Sequence, residues 1–176
     1  MSRAARSPNG YLLAAVAAAV ATACSPAEQG VIQAQADDPA ITLSEGPCAI
    51  TCPVYDMTIH PNGTYVLNSV RFVRGEGVSE GNVGRASYEE AEKVLTEAGF
   101  WTLKPDQTAE TMPHCQPDAP TAKITWRTTE GKEKTLTYYA GCGVAKMEQL
   151  VGALRNAMKF ERLVWTEDRF DPSGNR

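Results

Sequence analysis

The chain has 176 residues, of which 43% are hydrophobic and 22% are charged, and its formal net charge is −4 at pH 7. This length suits one domain of ordinary size, and the composition is that of a soluble globular protein rather than a disordered chain. The mildly acidic balance argues against a nucleic-acid-binding protein and against electrostatic adhesion to anionic lipid, because both need clustered basic residues.

The first 23 residues predict a secretory signal peptide. Arg3 and Arg6 form a short positive region, and an apolar, alanine-rich run follows over residues 11–23. Spanning a bilayer takes about 20 apolar residues, so the run is short for a membrane span and matches the hydrophobic core of a signal. The alternative is a buried helix of the folded domain, which so much alanine disfavours because it offers little area to bury.

The end of this run predicts a lipid anchor. Residues 20–24, Val-Ala-Thr-Ala-Cys, resemble a bacterial lipobox, in which the cysteine accepts the lipid and becomes the new amino terminus. We therefore expect Cys24 to be lipid-modified, and Ser25 after it suggests an outer-membrane lipoprotein that faces the periplasm. Ordinary cleavage after Ala23 or Ala36 is the alternative, and it would leave a soluble periplasmic or secreted protein.

The rest of the chain divides into three parts. Residues 24–40 contain the lipid acceptor and a flexible tether, long enough to hold the domain roughly 20 Å from the membrane. Residues 41–166 form a single domain, and residues 167–176 form a disordered tail. The membrane, reached through the lipid, is thus one predicted partner.

A β-hairpin opens the predicted domain. Apolar and polar residues alternate over residues 54–60, which is the pattern of a strand with one buried face. A type I turn with Gly63 left-handed pairs Met57 with Leu67 and Ile59 with Tyr65, and so keeps apolar residues together. A third strand is expected over residues 70–73, followed by a glycine-rich loop over residues 75–84.

The first helix is predicted from a capping box at residues 87–90, Ser-Tyr-Glu-Glu. Apolar residues then recur at helical spacing, and Gly99 suits the end of the helix. Phe100, Trp101 and Leu103 are expected to fill the core. The residues of the apolar stripe are Tyr88, Ala91, Val94, Leu95 and Ala98.

The same order then recurs. A long loop over residues 104–121 carries Cys115, and a second hairpin turns at Glu130 and Gly131, with Ile124 facing Leu136 and Arg127 facing Glu133. A second helix is predicted over residues 146–160. The expected fold is therefore α+β: an antiparallel sheet built from two β-hairpins, with two helices on one face.

The cysteines predict disulfide bonds. With Cys24 set aside as the lipid acceptor, the remaining cysteines form two pairs in an oxidising compartment, with three possible connectivities. The structural interpretation pairs each cysteine with the neighbour that ties a loop to an adjacent element. These pairs are Cys48 with Cys52 and Cys115 with Cys142.

Redox or metal chemistry is the alternative for the same cysteines. The segment Cys48-Ala-Ile-Thr-Cys52-Pro resembles the copper-binding pair of Sco-type thioredoxin-fold proteins, which also use a distant histidine, and His60 and His114 are available. A helix follows the motif in that fold, whereas a strand is predicted here. A four-cysteine zinc site lacks the paired CxxC spacing, so we predict neither a metal nor a cofactor.

Catalysis has little support in the sequence. There is no GxSxG motif, and no catalytic residue is predicted. A hydrolase would need a pocket that gathers His60 or His114 with a carboxylate. The protein is thus expected to bind rather than to catalyse.

The segment around the first hairpin resembles a bacterial family of domains of unknown function, number 6438. The resemblance rests on Cys52-Pro53-Val54-Tyr55, which matches a Cys-Pro-x-Tyr signature before a hairpin, and it covers roughly residues 41–166. It implies secretion or lipid anchoring and no known activity.

These observations together predict a non-catalytic binding or scaffolding domain of the cell envelope. Its partner would be an unidentified envelope protein or a small ligand, and no nucleic acid is expected. The long loops are one candidate surface. The exposed face of the sheet is the other, represented by Asp56, Thr58, Thr125 and Arg127.

Overall fold

A computed structural model of the protein describes residues 38–165, which form a mixed α+β domain of seven strands and three helices. The predicted signal, Cys24, nearly all of the tether and the tail lie outside these residues. None of the helices in the described part is long and apolar enough to cross a membrane. The strands are β1 (Ala40–Glu45), β2 (Val54–Ile59), β3 (Thr64–Arg71), β4 (Gly77–Asn82), β5 (Asp106–Gln107), β6 (Thr121–Arg127) and β7 (Glu133–Tyr139); the helices are α1 (Arg85–Glu97), α2 (Ala145–Ala157) and α3 (Phe160–Leu163).

The strands form one sheet in the order β4-β3-β2-β1-β6-β7-β5. Every neighbouring pair is antiparallel except β5 and β7, which are parallel. The sheet is larger than the two hairpins that were expected. β1, which was not predicted, lies between them. The alternation in β1 is short: Ile41 and Leu43 point inward, but the next inward residue is the charged Glu45.

Both hairpins have the predicted register. Met57 faces Leu67 in the first, and Ile124 faces Leu136 in the second. The two turns share one hydrogen-bond pattern. The His60 amide donates to the Thr64 carbonyl in the first turn, and the Thr128 amide donates to the Lys132 carbonyl in the second, at 2.9 Å in each case. Gly63 and Gly131 occupy the same left-handed position, with φ of 83° and 76°, as the type I turn requires.

The glycine-rich segment was wrongly predicted as a loop. It contains β4, which pairs with β3 along its whole length, from Thr64 opposite Asn82 to Ser69 opposite Gly77. The expected strand over residues 70–73 is also wrong, since β3 is a single strand that ends at Arg71 and Phe72 leaves it with φ of 54°. Backbone pairing, rather than a hydrophobic pattern, builds β4.

The helices cover one face of the sheet and enclose the core. α1 begins at Arg85 without a side-chain cap, so the predicted capping box is wrong; the Ser87 hydroxyl instead donates to the Val83 carbonyl at 3.0 Å. Gly99 is left-handed after α1, as expected. The second predicted helix is interrupted at Lys159, with φ of 63°, and continues as α3. The largest fully buried side chains are Ile41, Leu43, Tyr55, Met57, Ile59, Leu95, Phe100, Ile124, Leu136, Tyr138, Met147 and Leu154.

Candidate functional site

The face of the sheet opposite the helices, called the open face below, is the first candidate site. No helix within residues 38–165 packs against it, and its side chains alternate with the buried residues of each strand. The predicted surface residues Asp56, Thr58, Thr125 and Arg127 all lie on this face. Strand periodicity explains why they were found, because successive side chains of a strand point to opposite sides.

A row of threonines crosses the middle of the open face. The register places Thr58 opposite Thr42, Thr42 opposite Thr125, and Thr125 opposite Thr135, so four neighbouring strands each present one hydroxyl. The hydroxyl oxygens of Thr42 and Thr58 are 2.9 Å apart, and those of Thr125 and Thr135 are also 2.9 Å apart. A hydroxyl can donate one hydrogen bond and accept two, so the row retains capacity for a ligand or for water.

Acidic residues outnumber basic ones on the open face, because the register also places Glu80 on it, opposite Val66. Arg127 forms an ion pair with Glu133 across β6 and β7, as the register predicted. Asp56 and Lys123 flank Ser44 from the two neighbouring strands. The face is therefore polar and mildly acidic, and the hydroxyls at its centre suit recognition by hydrogen bonding.

The helix side contains a buried charge cluster that the sequence did not predict. Glu45 of β1 is 4% exposed; its carboxylate accepts a hydrogen bond from the Tyr55 hydroxyl at 2.8 Å and one from Arg155 Nε of α2 at 2.9 Å. A second Arg155 nitrogen pairs with the other carboxylate oxygen. The guanidinium also lies 5.2 Å from the centre of the Phe160 ring. Such bidentate pairing is the strong form of this contact.

The pKa values in this cluster follow from its burial and charge. Burial raises the pKa of Tyr55 well above its usual value, and the neighbouring Glu45 carboxylate raises it further. Burial opposes the charge of Arg155, but the hydrogen bond to Glu45 and its negative charge outweigh this and raise the pKa of Arg155. Tyr55 therefore stays a neutral phenol beside the ion pair of Glu45 and Arg155. Every partner is satisfied, so the cluster binds α2 to the centre of the sheet.

The cysteines form the two disulfides of the structural interpretation, Cys48–Cys52 and Cys115–Cys142. The Cys48–Cys52 loop joins β1 to β2, and Ile50 within it is 79% exposed. The Ala49 amide donates to the Asp118 carbonyl at 3.3 Å, so the two disulfide-bearing loops meet at the same end of the sheet.

The copper and zinc alternatives find no assembled site in this conformation. His60 follows the far end of β2 from Cys52, a separation of about 20 Å at the rise of a strand. Its Nδ1 lies 3.2 Å from the Pro39 carbonyl oxygen, and His114 is exposed in the long loop. Among residues 38–165, no three His, Cys, Asp or Glu side chains are grouped closely enough to hold a metal ion.

A shallow cavity of about 470 Å³ lies beside the Cys115–Cys142 disulfide, where the long loop folds against β7. Asp106, Glu110, Thr121 and Tyr139 contribute to its wall. The loop is held there by the amide of Gln116, which donates to Gly141, and by the amide of Ala119, which donates to the Tyr139 hydroxyl. Neither His60 nor His114 lines this cavity, so it does not bring a histidine together with a carboxylate, as the hydrolase alternative would need.

Comparison with known protein families gives a match over most of the described domain. The model of the family described as "Domain of unknown function (DUF6438)" matches residues 39–158, a span from the start of the sheet to the end of α2. No curated protein matches the chain.

Proposed function

We propose that this chain, which belongs to the DUF6438 family of domains of unknown function, is a non-catalytic binding domain of the cell envelope that uses its open face. One observation carries the proposal: within residues 38–165 the helices cover one side of a broad sheet, and its other side presents a hydrogen-bonded row of hydroxyls. Flat, polar surfaces of this kind bind through many weak hydrogen bonds and bridging waters.

The envelope assignment rests on the signal-like start, Cys24 and the two disulfides. Disulfides are typical of oxidising compartments outside the cytoplasm. We propose that Cys24 is lipid-modified and anchors the domain to the outer membrane on its periplasmic side. A soluble periplasmic or secreted protein is the alternative, reached by ordinary signal cleavage.

Site-specific photo-crosslinking in cells tests the binding face. A benzophenone amino acid at Thr125 should yield discrete crosslinked products, because this position lies in the middle of the open face. The same probe at Glu89, which is exposed on α1, is the matched control and should yield none. Equal products from both positions, or none from Thr125, would contradict the proposal.

Membrane fractionation tests the anchor. The full chain should partition with membranes, and its amino-terminal peptide should carry the mass of the lipid on Cys24. The Cys24→Ala variant should lose that mass and leave the membrane fraction. A wild-type chain that is soluble with an unmodified Cys24 would support ordinary cleavage instead.

A second candidate function is thiol-redox or copper-binding chemistry at Cys48 and Cys52. It is favoured by the exposure of Ile50 in the short disulfide loop, which leaves that loop accessible to a partner. Intact-mass measurement after mild reduction and alkylation tests it. Two adducts on Cys48 and Cys52 alone, or a bound copper ion, would support it, whereas resistance of both pairs would favour a structural role.

A further inference from the structure

The two edge strands of the sheet differ in length, because β4 has six residues and β5 has two. β4 is the last strand on its side, all six of its residues are exposed, and no strand of residues 38–165 lies beyond it. At the opposite edge, β5 pairs with β7, and the Thr137 amide donates to the Pro105 carbonyl at 2.8 Å. An open edge presents unpaired backbone N–H and C=O groups, which can pair with another strand.

β4 is held as a rigid template for such pairing. Its pairing with β3 is continuous, and the Val83 amide just beyond it donates to the Gly63 carbonyl at 2.9 Å. The Asn82 side chain donates to the Asn62 carbonyl, and the Tyr65 ring lies against Gly81 so closely that a Cβ there would be 2.8 Å from it. An incoming strand would therefore meet an ordered edge and lose little of its affinity to ordering it.

The side chains along this edge specify the partner. Strands of monomeric proteins usually protect an open edge with charged residues, above all lysine, or with proline. β4 contains no lysine and no proline, and its one charged residue is Glu80. Val78 is 69% exposed and neighbours Val70, which is 47% exposed. Glu76 and Glu80 stand two positions to either side of Val78, both exposed, and neither forms an ion pair with any residue of the described domain.

We propose that the β4 edge binds an extended peptide segment in which an apolar residue is flanked, at alternate positions, by two basic residues. Such a segment would continue the sheet, place its apolar side chain beside Val78 and pair its basic side chains with Glu76 and Glu80. A second copy of this chain is a poorer partner, since pairing two β4 strands gathers four carboxylates at one short edge.

Peptide titration of the folded protein tests this. Two capped peptides are used, containing Lys-Thr-Val-Thr-Lys or Glu-Thr-Val-Thr-Glu; both are palindromic, so the direction of the added strand need not be assumed. The lysine peptide should slow hydrogen exchange of amides within residues 77–82 and bind about tenfold more tightly than the glutamate peptide. The variant carrying Glu76→Lys and Glu80→Lys should reverse this preference.

Val78 and Glu80 lie at the margin of the open face, and the control separates this margin from the middle of the face. Thr125→Arg alters the middle of the open face and should leave peptide binding unchanged. Three results would overturn the proposal: no protection of residues 77–82 by either peptide, equal affinity for the two peptides, or protection that depends on protein concentration without peptide. The third result would indicate self-association. None of these results bears on binding at the middle of the open face around Thr125, which photo-crosslinking tests separately.

Discussion

Gly63 and Gly131 occupy the same position of two equivalent turns but have different surroundings. A Cβ added to Gly63 would lie 2.3 Å from the Gly84 backbone carbon, whereas one added to Gly131 would meet nothing within 4 Å. Both residues are left-handed, a conformation that costs an alanine roughly 1–2 kcal/mol. The pair therefore separates backbone strain from steric conflict.

We expect Gly131→Ala to lower the free energy of unfolding by about 1 to 2 kcal/mol through strain alone. Gly63→Ala should lower it by about 3 kcal/mol or more, because the clash forces the start of α1 away from the turn. Urea unfolding, followed by circular dichroism, measures both variants. Equal losses would mean that the turn relaxes freely and that its contact with Gly84 is unimportant.

Tyr55 should make the domain sensitive to alkali. Burial and the Glu45 charge raise its pKa, so it stays protonated in the folded state at pH values where an unfolded tyrosine, with a pKa near 10, is ionised. Unfolding above pH 10 then releases a proton, and the free energy of unfolding should fall by about 1.4 kcal/mol per pH unit from this residue. Below pH 10 its contribution is constant.

Urea unfolding between pH 8 and pH 11 tests this prediction. Tyr55→Phe should show a shallower decline above pH 10 than the wild type, even though the variant is less stable at pH 8 through loss of the hydrogen bond to Glu45. The pKa values of Tyr88 and Tyr138 are also raised. Both residues are present in the wild type and in the Tyr55→Phe variant, so they affect the two pH profiles alike. Parallel pH profiles would show that Tyr55 is not the residue responsible.

At the scale of elements, the two disulfides close loops of different length. Chain-entropy arguments assign about 2 kcal/mol to the Cys48–Cys52 loop and about 3.6 kcal/mol to the longer Cys115–Cys142 loop. Replacing each pair by serines should therefore lower the free energy of unfolding in that order. Hydrogen exchange should also rise over residues 104–120 only in the Cys115–Cys142 variant, and a rise in both variants would contradict independent loops.

The elements that could be predicted from the sequence are those with strong periodicity. The hairpin of β2 and β3 and that of β6 and β7 follow from apolar alternation and turn residues, which also placed Thr58 and Thr125 on the exposed face. β4 has no such pattern, because its sequence GVSEGN contains one apolar residue larger than glycine. β4 forms a strand because its backbone pairs with β3, and a local sequence pattern does not encode that pairing.

The buried cluster was missed for a related reason. Glu45 and Arg155 are 110 residues apart in the chain, and nothing in the sequence near either residue indicates its partner. Tyr55 was predicted as a buried residue of the first strand, but its hydrogen bond to a carboxylate was not predicted. In the structure, Cys52 closes the loop after β1, and Tyr55 binds the carboxylate at the end of β1.

At the scale of the whole molecule, the family match ends before the last buried residues of the core. It ends at residue 158, yet Phe160 is 4% exposed, Val164 is fully buried, and the Arg74 amide donates to the Val164 carbonyl at 2.9 Å. Burying side chains of this kind contributes about 1.5 to 3 kcal/mol each. The segment that contains α3 is therefore part of the stable unit.

Two fragments test this. A fragment of residues 38–165 should fold with a thermal midpoint close to that of a longer fragment of residues 25–176, whereas one of residues 38–158 should be less stable by about 3 kcal/mol or more. Thermal melting followed by far-ultraviolet circular dichroism compares them. Similar midpoints for the two fragments would mean that α3 is an appendage of the family domain.

The central place of β1 has a consequence for the order of folding. As the chain emerges amino terminus first, β1 to β4 can pair in sequence as a meander, but the other neighbour of β1 is β6, which begins only at Thr121. Until β6 arrives, one side of the middle strand stays unpaired, and so it is exposed to association with other chains. A chain of this topology thus depends on completing its synthesis before its sheet can close, and shielding by a chaperone would matter most during that interval.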